Sequence, residues 1–277
     1  MIDPSVQSTH RSVAEQLDEA RAAVRQHPGD VGARNRLWQW LAIQGDWKRA
    51  WEQIGVTLQL QGDAPSSLAV HRAAIEAEIE RQAIFAGERA LTVAPGSPDW
   101  LVGLAQALQC DARGDADGAQ ALRARARDDA RACSGYVEDE RDTRSAFAWL
   151  CDGDDRLGPV CELIAQGRYQ WLPLESIVSW RQSRPAGLTD LLWSAVVLEL
   201  RDGSSRAGLM PARYSFAAGE PIDRDDALCL GRRTSWLDRG GDHYIGVGQR
   251  MLLSDTAEHA MLDVRLIQFD VSDGSDD

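Results

Sequence analysis

The stretch FAWLCDGDDRLGPV, Phe147 to Val160, lies where one grammar of sequence gives way to another. Upstream of it apolar residues recur at helical spacing between short stops, and downstream short apolar runs are cut by turn residues. The same stretch packs Asp152, Asp154, Asp155 and Arg156 between an aromatic run and a Gly-Pro pair. It therefore poses a question of chemistry as well as one of architecture.

Upstream, Ser12 with Glu15 forms a capping box before AEQLDEARAAVRQ, and Pro28-Gly29 ends that helix. ARNRLWQWLAIQ then places Leu37, Trp40, Leu41 and Gln44 on one face and stops at Gly45. Asp46 caps WKRAWEQIGVTLQL, Gly62 stops it, a third long helix follows Pro65, and a fourth starts at Ser97-Pro98. A fifth covers about Asp117 to Cys133. The turn AAVRQHPGD (22–30) resembles RALTVAPGS (89–97), and each precedes a helix ending in Gly-Asp. Leu37, Leu41, Gly45-Asp46-Trp47, Ala50 and Ile54 fit the tetratricopeptide pattern, with Ala50 where two helices approach closely. Gly114, Asp115 and Ala119 repeat it with a two-residue slip.

Downstream, LGPVCELIAQG and RYQWLPL read as extended segments around Gly167, followed by a short helix over about Leu174–Trp180. LLWSAVVLEL and SRAGLMPARYS flank Asp202-Gly203, a hairpin signal. HYIGVGQRMLLS and AMLDVRLIQFD add two strands. The expectation is an α+β chain. Residues 1–135 form an all-helical tetratricopeptide-like domain (an α-α superhelix), and 136–155, dense in charge, form a linker or joint. Residues 156–270 form a mainly antiparallel β domain with a few helices, and 271–277 an acidic, disordered tail.

With 44% apolar residues the 277-residue chain can bury sizeable cores, and a formal charge of -13 repels nucleic-acid backbones and acidic membranes. The start MIDPSVQSTHRSVAEQ lacks a signal-peptide core and no stretch approaches a membrane span, so the expected location is the cytoplasm. Five cysteines without a CxxC pair argue against a disulfide framework or zinc knuckle.

Chemistry is harder to find. A calcium loop beginning at Asp152 would put Arg156, Leu157 and Leu163 where a ligand, a glycine and a glutamate belong. A metal hydrolase using Asp152, Asp154 and Glu162 stands as one reading, against turn capping and an Asp–Arg156 ion pair. The five histidines are dispersed, GVGQRM lacks the third glycine of a phosphate loop, and no GxSxG, GxxxxGK[ST] or HExxH occurs. No cofactor, metal or catalytic residue is expected. Tryptophan is abundant, ten in all, with Trp38, Trp40, Trp47 and Trp51 crowded together. These fill the core or line a partner groove, where tryptophan and arginine serve as anchors.

Six ordered motifs stand out: F-x-W-L-x-D-G-D-x-R-L-G-P (147–159), G-x-Y-x-W-x-P (167–173), LLW (191–193), P-x-R-Y (211–214), L-G-R-x-T-x-W (230–236) and G-x-G-Q-R-M (246–251). They resemble the ImpE family, also called TagJ or SciE, accessory proteins of bacterial type VI secretion. The matching positions are Trp149, Asp152, Asp154, Arg156, Gly158, Pro159, Tyr169, Trp171, Arg213, Tyr214, Arg232, Trp236, Gln249 and Arg250. The resemblance implies a non-enzymatic cytoplasmic adaptor that binds the N-terminal helix of the small contractile-sheath subunit and is linked to the ClpV ATPase. A tetratricopeptide scaffold with an unrelated client is the alternative. Asp and Arg beside Gly-Pro would suit a fixed inter-domain joint whose carboxylates cap backbone amides.

Overall fold

The computed structural model describes residues 11–62, 66–215 and 225–270. The acidic tail expected at 271–277 lies outside these. Among the described residues six helices come first: α1 (Val13–Gln26), α2 (Val31–Gln44), α3 (Trp47–Gln61), α4 (Ser66–Phe85), α5 (Asp99–Ala112) and α6 (Ala116–Asp129). Their starts follow the sequence signals. Ser12 and Glu15 make the reciprocal capping box, and Asp30, Asp46 and Asp115 accept the amides of Ala33, Arg49 and Gly118. α2 ends at Gly45, whose φ of 82° is the left-handed conformation glycine adopts freely. At α5 the flanking residue is Pro98 and no side chain caps the helix, so Ser97 is not the cap.

Two expectations about helix faces and ends change. α6 stops at Asp129, short of Cys133, because Ala130 is already extended. On α2 the buried residues are Ala33, Leu37, Trp38, Leu41, Ala42 and Ile43, while Gln44 is exposed. The helix packs against α1 and α3 and also touches the sheet region, so its apolar surface is wider than one stripe.

Thirteen strands follow. An eight-stranded sheet, every pairing antiparallel, runs β2 (Arg144–Phe147), β1 (Gly135–Asp139), β13 (Val264–Phe269), β6 (Ile177–Gln182), β7 (Trp193–Leu200), β8 (Ser205–Pro211), β4 (Val160–Ala165), β5 (Arg168–Pro173). β3 (Leu150–Asp152), β11 (Met251–Ser254) and β12 (Glu258–Ala260) make a three-stranded sheet, and β9 (Thr234–Asp238) pairs with β10 (Tyr244–Gly248). A single turn of helix, α7 (Asp226–Cys229), precedes β9. The hairpin read around Asp202-Gly203 is β7–β8, with Gly203 at φ 81°. The segments read around Gly167 pair as β4–β5 through Gln166 and Gly167, both at positive φ, the backbone a two-residue hairpin turn requires.

Three readings need correction. The stretch 136–155 is no linker: it supplies β1, β2 and β3, with Glu140, Arg141, Asp142 and Arg144 exposed around the β1–β2 turn while Val137, Phe147, Asp152 and Asp154 are buried. The helix expected over Leu174–Trp180 is a 3-10 turn at Leu174–Ser176 that gives way to β6. IVSWRQ has strand periodicity, and pairing with β7 outweighs a weak helical preference. HYIGVGQRMLLS is two strands in different sheets, broken at Gly248, whose φ is 89°.

β4 shows where the cores lie. All six of its residues are buried. Val160 and Ile164 join a cluster built largely from α1 to α5, whereas Cys161, Leu163 and Ala165 join a second cluster made of sheet residues. With a two-residue period, Glu162 must lie on the helix-facing side between Val160 and Ile164. β4 reaches β8 at Ile164–Leu209, where Gly208 lets the backbones close: a Cβ there would meet the Ile164 carbonyl oxygen at 2.6 Å. Gly208→Ala should therefore part these strands and cost about 1–3 kcal/mol, read as a lowered urea midpoint with unchanged slope.

Candidate functional site

Asp152 ends β3, and the chain turns back through Gly158, at φ 54°, into β4. Within that turn the carboxylates act on the backbone. Asp152 Oδ1 accepts the amide of Asp154 at 2.8 Å, and Asp154 Oδ1 accepts that of Arg156 at 2.9 Å. Asp154 also takes Arg156 Nε at 2.9 Å and Nη2 at 2.6 Å, and its second oxygen receives the Gly246 amide at 2.9 Å. The Arg156 guanidinium lies over the Phe85 ring at 4.7 Å, so the knot grips the end of α4.

From Asp152 the charges continue inward. Asp152 Oδ2 accepts Arg250 Nε and Nη2 at 2.9 and 2.7 Å, and its other oxygen takes the Tyr214 hydroxyl at 3.0 Å. Arg250 Nη1 reaches Glu162 Oε2 at 3.1 Å. Glu162 is gripped in a two-pronged pair by Arg81 of α4, Nε to Oε1 at 2.7 Å and Nη2 to Oε2 at 2.9 Å, and also accepts the Tyr169 hydroxyl. Trp171 Nε1 donates to Tyr169 Oη at 2.6 Å. Arg81 reaches Glu78 at 3.2 Å, and Glu78 receives Trp193 Nε1 at 3.1 Å. Four carboxylates and three guanidinium groups thus alternate through the interior, each of these residues at most 7% exposed.

Burial and pairing push the pKa values apart. Burial outweighs Arg250 at Asp152, helped by the nearby Asp154 charge, and raises its carboxyl to about 6. At Asp154 burial also pushes upward, but Arg156 and the backbone amides win and hold it below the ordinary range. Arg81 and Arg250 do the same for Glu162. Burial raises the Cys151 and Cys161 thiols to about 12, so both stay protonated. Among the described residues no group of three His, Cys, Asp or Glu is placed to hold a metal ion. Asp152, Asp154 and Glu162 are brought near one another, but guanidinium groups, hydroxyls and amides occupy their oxygens. The arrangement cross-links; it presents no carboxylate to a substrate.

The remaining motif positions divide into interior and surface. Arg213 donates to the carbonyls of Ile43 at 2.8 Å, Ala42 at 3.2 Å and Cys229, which ties the C-terminal end of α2 to the sheet. Gln249 donates to Gly231 O at 2.7 Å and accepts the Leu262 amide at 2.9 Å. The Pro159 carbonyl accepts the Leu174 amide at 2.9 Å. Trp149 and Trp236 are 41% and 40% exposed, and Arg232 is exposed. Trp236 lies over Gly153, where a Cβ would come within 2.6 Å of its ring.

The four crowded tryptophans do not share a groove. Trp38 is core, bonded to Asn35 at 3.0 Å, and Trp40 is partly buried against the same cluster. Trp47 meets Trp193 at 5.7 Å between ring centres. Trp47 also lines a cleft beside Glu78, Arg81 and Arg213, and Trp51 flanks a separate open groove, its Nε1 held by Glu76 at 2.7 Å and its ring under Arg72 at 5.0 Å. Sequence reasoning missed Glu78 and Arg81. The available signal was a Glu-Arg pair three residues apart on the buried stripe of Ile75 and Ile84, a place where charge requires a partner.

Two measurements check this account. Asp154→Ala strands a buried guanidinium and the amides of Arg156 and Gly246 and should cost about 3–5 kcal/mol, a melting-point loss on the order of 10 °C. The second concerns pH. Because Asp152 has a raised folded pKa, about 6, the native state binds its proton between about pH 4 and 6 while the unfolded chain has released it, so this group's contribution to stability falls as pH rises through that window. Asp154 and Glu162, held low, act oppositely and lose their contribution only as the medium becomes more acidic. Wild-type stability relative to Asp152→Asn should decline between pH 4 and 6 by an amount of order 3 kcal/mol in urea titrations. A difference that rises over that window would contradict the assignment.

Residues 144–268 match the family model described as ImpE protein. The chain is 40% identical over 266 residues to the type VI secretion system accessory component TagJ of Pseudomonas aeruginosa, covering 94% of this chain and 90% of that one. In fold it is similar to the crystal structure of protein VPA1032 from Vibrio parahaemolyticus, with a TM-score of 0.80, 22% identity and 94% of each chain covered. The match to TagJ along nearly its whole length, together with the family model over β2 to β13, makes this chain a member of the ImpE family.

Proposed function

We propose that this protein is a non-enzymatic accessory component of a type VI secretion system, an adaptor acting in the cytoplasm. It would bind the N-terminal helix of the small contractile-sheath subunit and so be linked to ClpV-driven sheath disassembly. The observation that carries the reading is the 40% identity to TagJ over almost the whole chain. The interior supports it, because the most reactive-looking residues are consumed in cross-linking the fold. Among the described residues, no helix is long and apolar enough to cross a membrane.

The helical half offers the place. Its paired helices, with Gly45-Asp46 and Gly114-Asp115 at corresponding turns, support the tetratricopeptide-like reading, and such pairs present grooves to helical segments. The groove along α3 is bordered by Trp51, Val56, Leu58 and Arg72. Gly55, in mid-helix, opens its floor: a Cβ there meets nothing within 4 Å. A glycine inside a helix lowers its stability, and here it makes room for close approach of a second helix. Leu60 and Val70 on the same helix pair are 46% and 50% exposed.

Pull-down and calorimetry with the full-length small sheath subunit, and with that subunit lacking its first helix, test the reading. Binding should require the helix and weaken at least tenfold in Trp51→Ala with melting unchanged. Retained binding to the truncated subunit would end the helix reading, and loss of the Trp51 effect would move the site elsewhere on the protein. Binding to some other client with none to sheath would favour a general scaffold.

A further inference from the structure

Away from the α3 groove residues, α6 faces the β3–β4 turn and the tip of the β9–β10 hairpin across a gap. Two adjoining chambers of about 140 and 150 Å³ occupy the gap and share Arg123, Arg127 and Asp155 as a common wall. Their outer walls differ. The first is lined by Leu104, Ala126, Pro159 and Leu253, the second by Gln120, Asp242 and His243. The slot is thus apolar at one end, polar at the other, and cationic at the waist.

The waist holds donors without acceptors. Arg123 is 4% exposed, yet its sole hydrogen bond runs from Nη2 to Asp111, and its buried Nε has no partner among the described residues. Arg127 makes no hydrogen bond there and approaches Asp155 only at 3.7 Å. The other oxygen of Asp155 accepts the Tyr244 amide at 2.7 Å. Across the gap His243 Nε2 is also buried and unpartnered. Buried guanidinium N–H groups almost always find acceptors, so the unpartnered Arg123 Nε, beside the half-exposed guanidinium of Arg127, marks a place shaped for something that supplies oxygen. Gln120 braces the hairpin tip, donating to Gly241 O at 3.1 Å, and thereby holds the second chamber open.

We propose that this slot binds a carboxylate bearing a short aliphatic chain, with its oxygens between Arg123 Nε and the Arg127 guanidinium and its hydrocarbon in the Leu104–Ala126–Leu253 chamber. Carboxylate is favoured over inorganic phosphate by the apolar first chamber, since a guanidinium fork accepts either anion. The apolar chamber gives a hydrocarbon tail a place that inorganic phosphate would leave empty. The carboxylate could belong to a small organic acid or to the free C-terminus of a peptide. Neither source depends on the sheath-helix reading, since α3 and its groove take no part.

Titration calorimetry on the full-length protein tests the proposal, using butyrate, hexanoate, inorganic phosphate, acetyl-Gly-Leu and the same dipeptide as its amide. Hexanoate should bind more tightly than butyrate, and phosphate should bind at least tenfold more weakly than hexanoate. Arg127→Gln, whose side chain is 54% exposed and not needed for folding, should weaken hexanoate at least tenfold. Arg123→Lys should do the same at unchanged melting temperature. Acetyl-Gly-Leu binding above hexanoate, with its amide silent, identifies a peptide terminus as the source; the reverse order identifies a small acid. No binding by any carboxylate, equal binding by phosphate, or binding indifferent to Arg127→Gln overturns the assignment.

Discussion

The grip of Arg81 on Glu162 is the contact on which the rest of the architecture depends. Arg81 comes from α4 and Glu162 from β4, both are buried, and their two-pronged pair joins Glu78 on the helix side to Arg250 on the sheet side. An isolated charge in such a place would cost far more than the chain's net stability, so neither can be retained without the other. Arg250 extends the pair to Asp152, and hydroxyls of Tyr169 and Tyr214 close the remaining lone pairs. A polar array of this kind adds little stability beyond an apolar equivalent. Its consequence is specificity: α4 can sit on β4 in only one register if all the partners are to be met.

That constraint explains why helices and sheet share a core. β4 sends alternate residues into two clusters, and the larger of them mixes α1 to α5 with Val160, Ile164, Tyr169, Trp171 and Trp193. Arg213 repeats the logic at α2, satisfying carbonyls that the helix end leaves without partners. The sheet thus covers faces of α2 and α4 that would otherwise meet solvent.

Much of this was legible. Ser12, Asp30, Asp46, Gly45 and Gly62 mark helix ends because capping is a local interaction between neighbours in sequence, and Asp202-Gly203 marks its hairpin for the same reason. What could not be read is what depends on distant partners. IVSWRQ became β6 because β7 and β13 lie on either side of it, and 136–155 became strands because β1 finds β13 more than a hundred residues away. The acidic knot was recognisable as a turn whose carboxylates cap amides, but Glu78, Arg81 and Glu162 reveal their role only when α4 and β4 meet. The crowding of Trp38, Trp40, Trp47 and Trp51 left core and groove both open, and two adjacent helices turned them toward core, sheet and solvent separately.

The acidic stretch at 147–160 therefore separates two meanings of a strong motif. Aspartate and arginine close together in sequence suggest catalysis, yet a buried ion pair that fixes a fold needs the same residue types and the same geometric exactness. Access is what distinguishes them. Asp154 is fully buried with both oxygens occupied, so no ligand can reach it without dismantling the turn. Recognition must then be sought where donors and apolar atoms remain open: at Trp51 and Gly55 on α3, and at Arg123 and Arg127 on α6. Those positions carry no striking pattern in the sequence, because a binding surface needs only the right side chains on a rigid frame, and the frame is what the motifs specify.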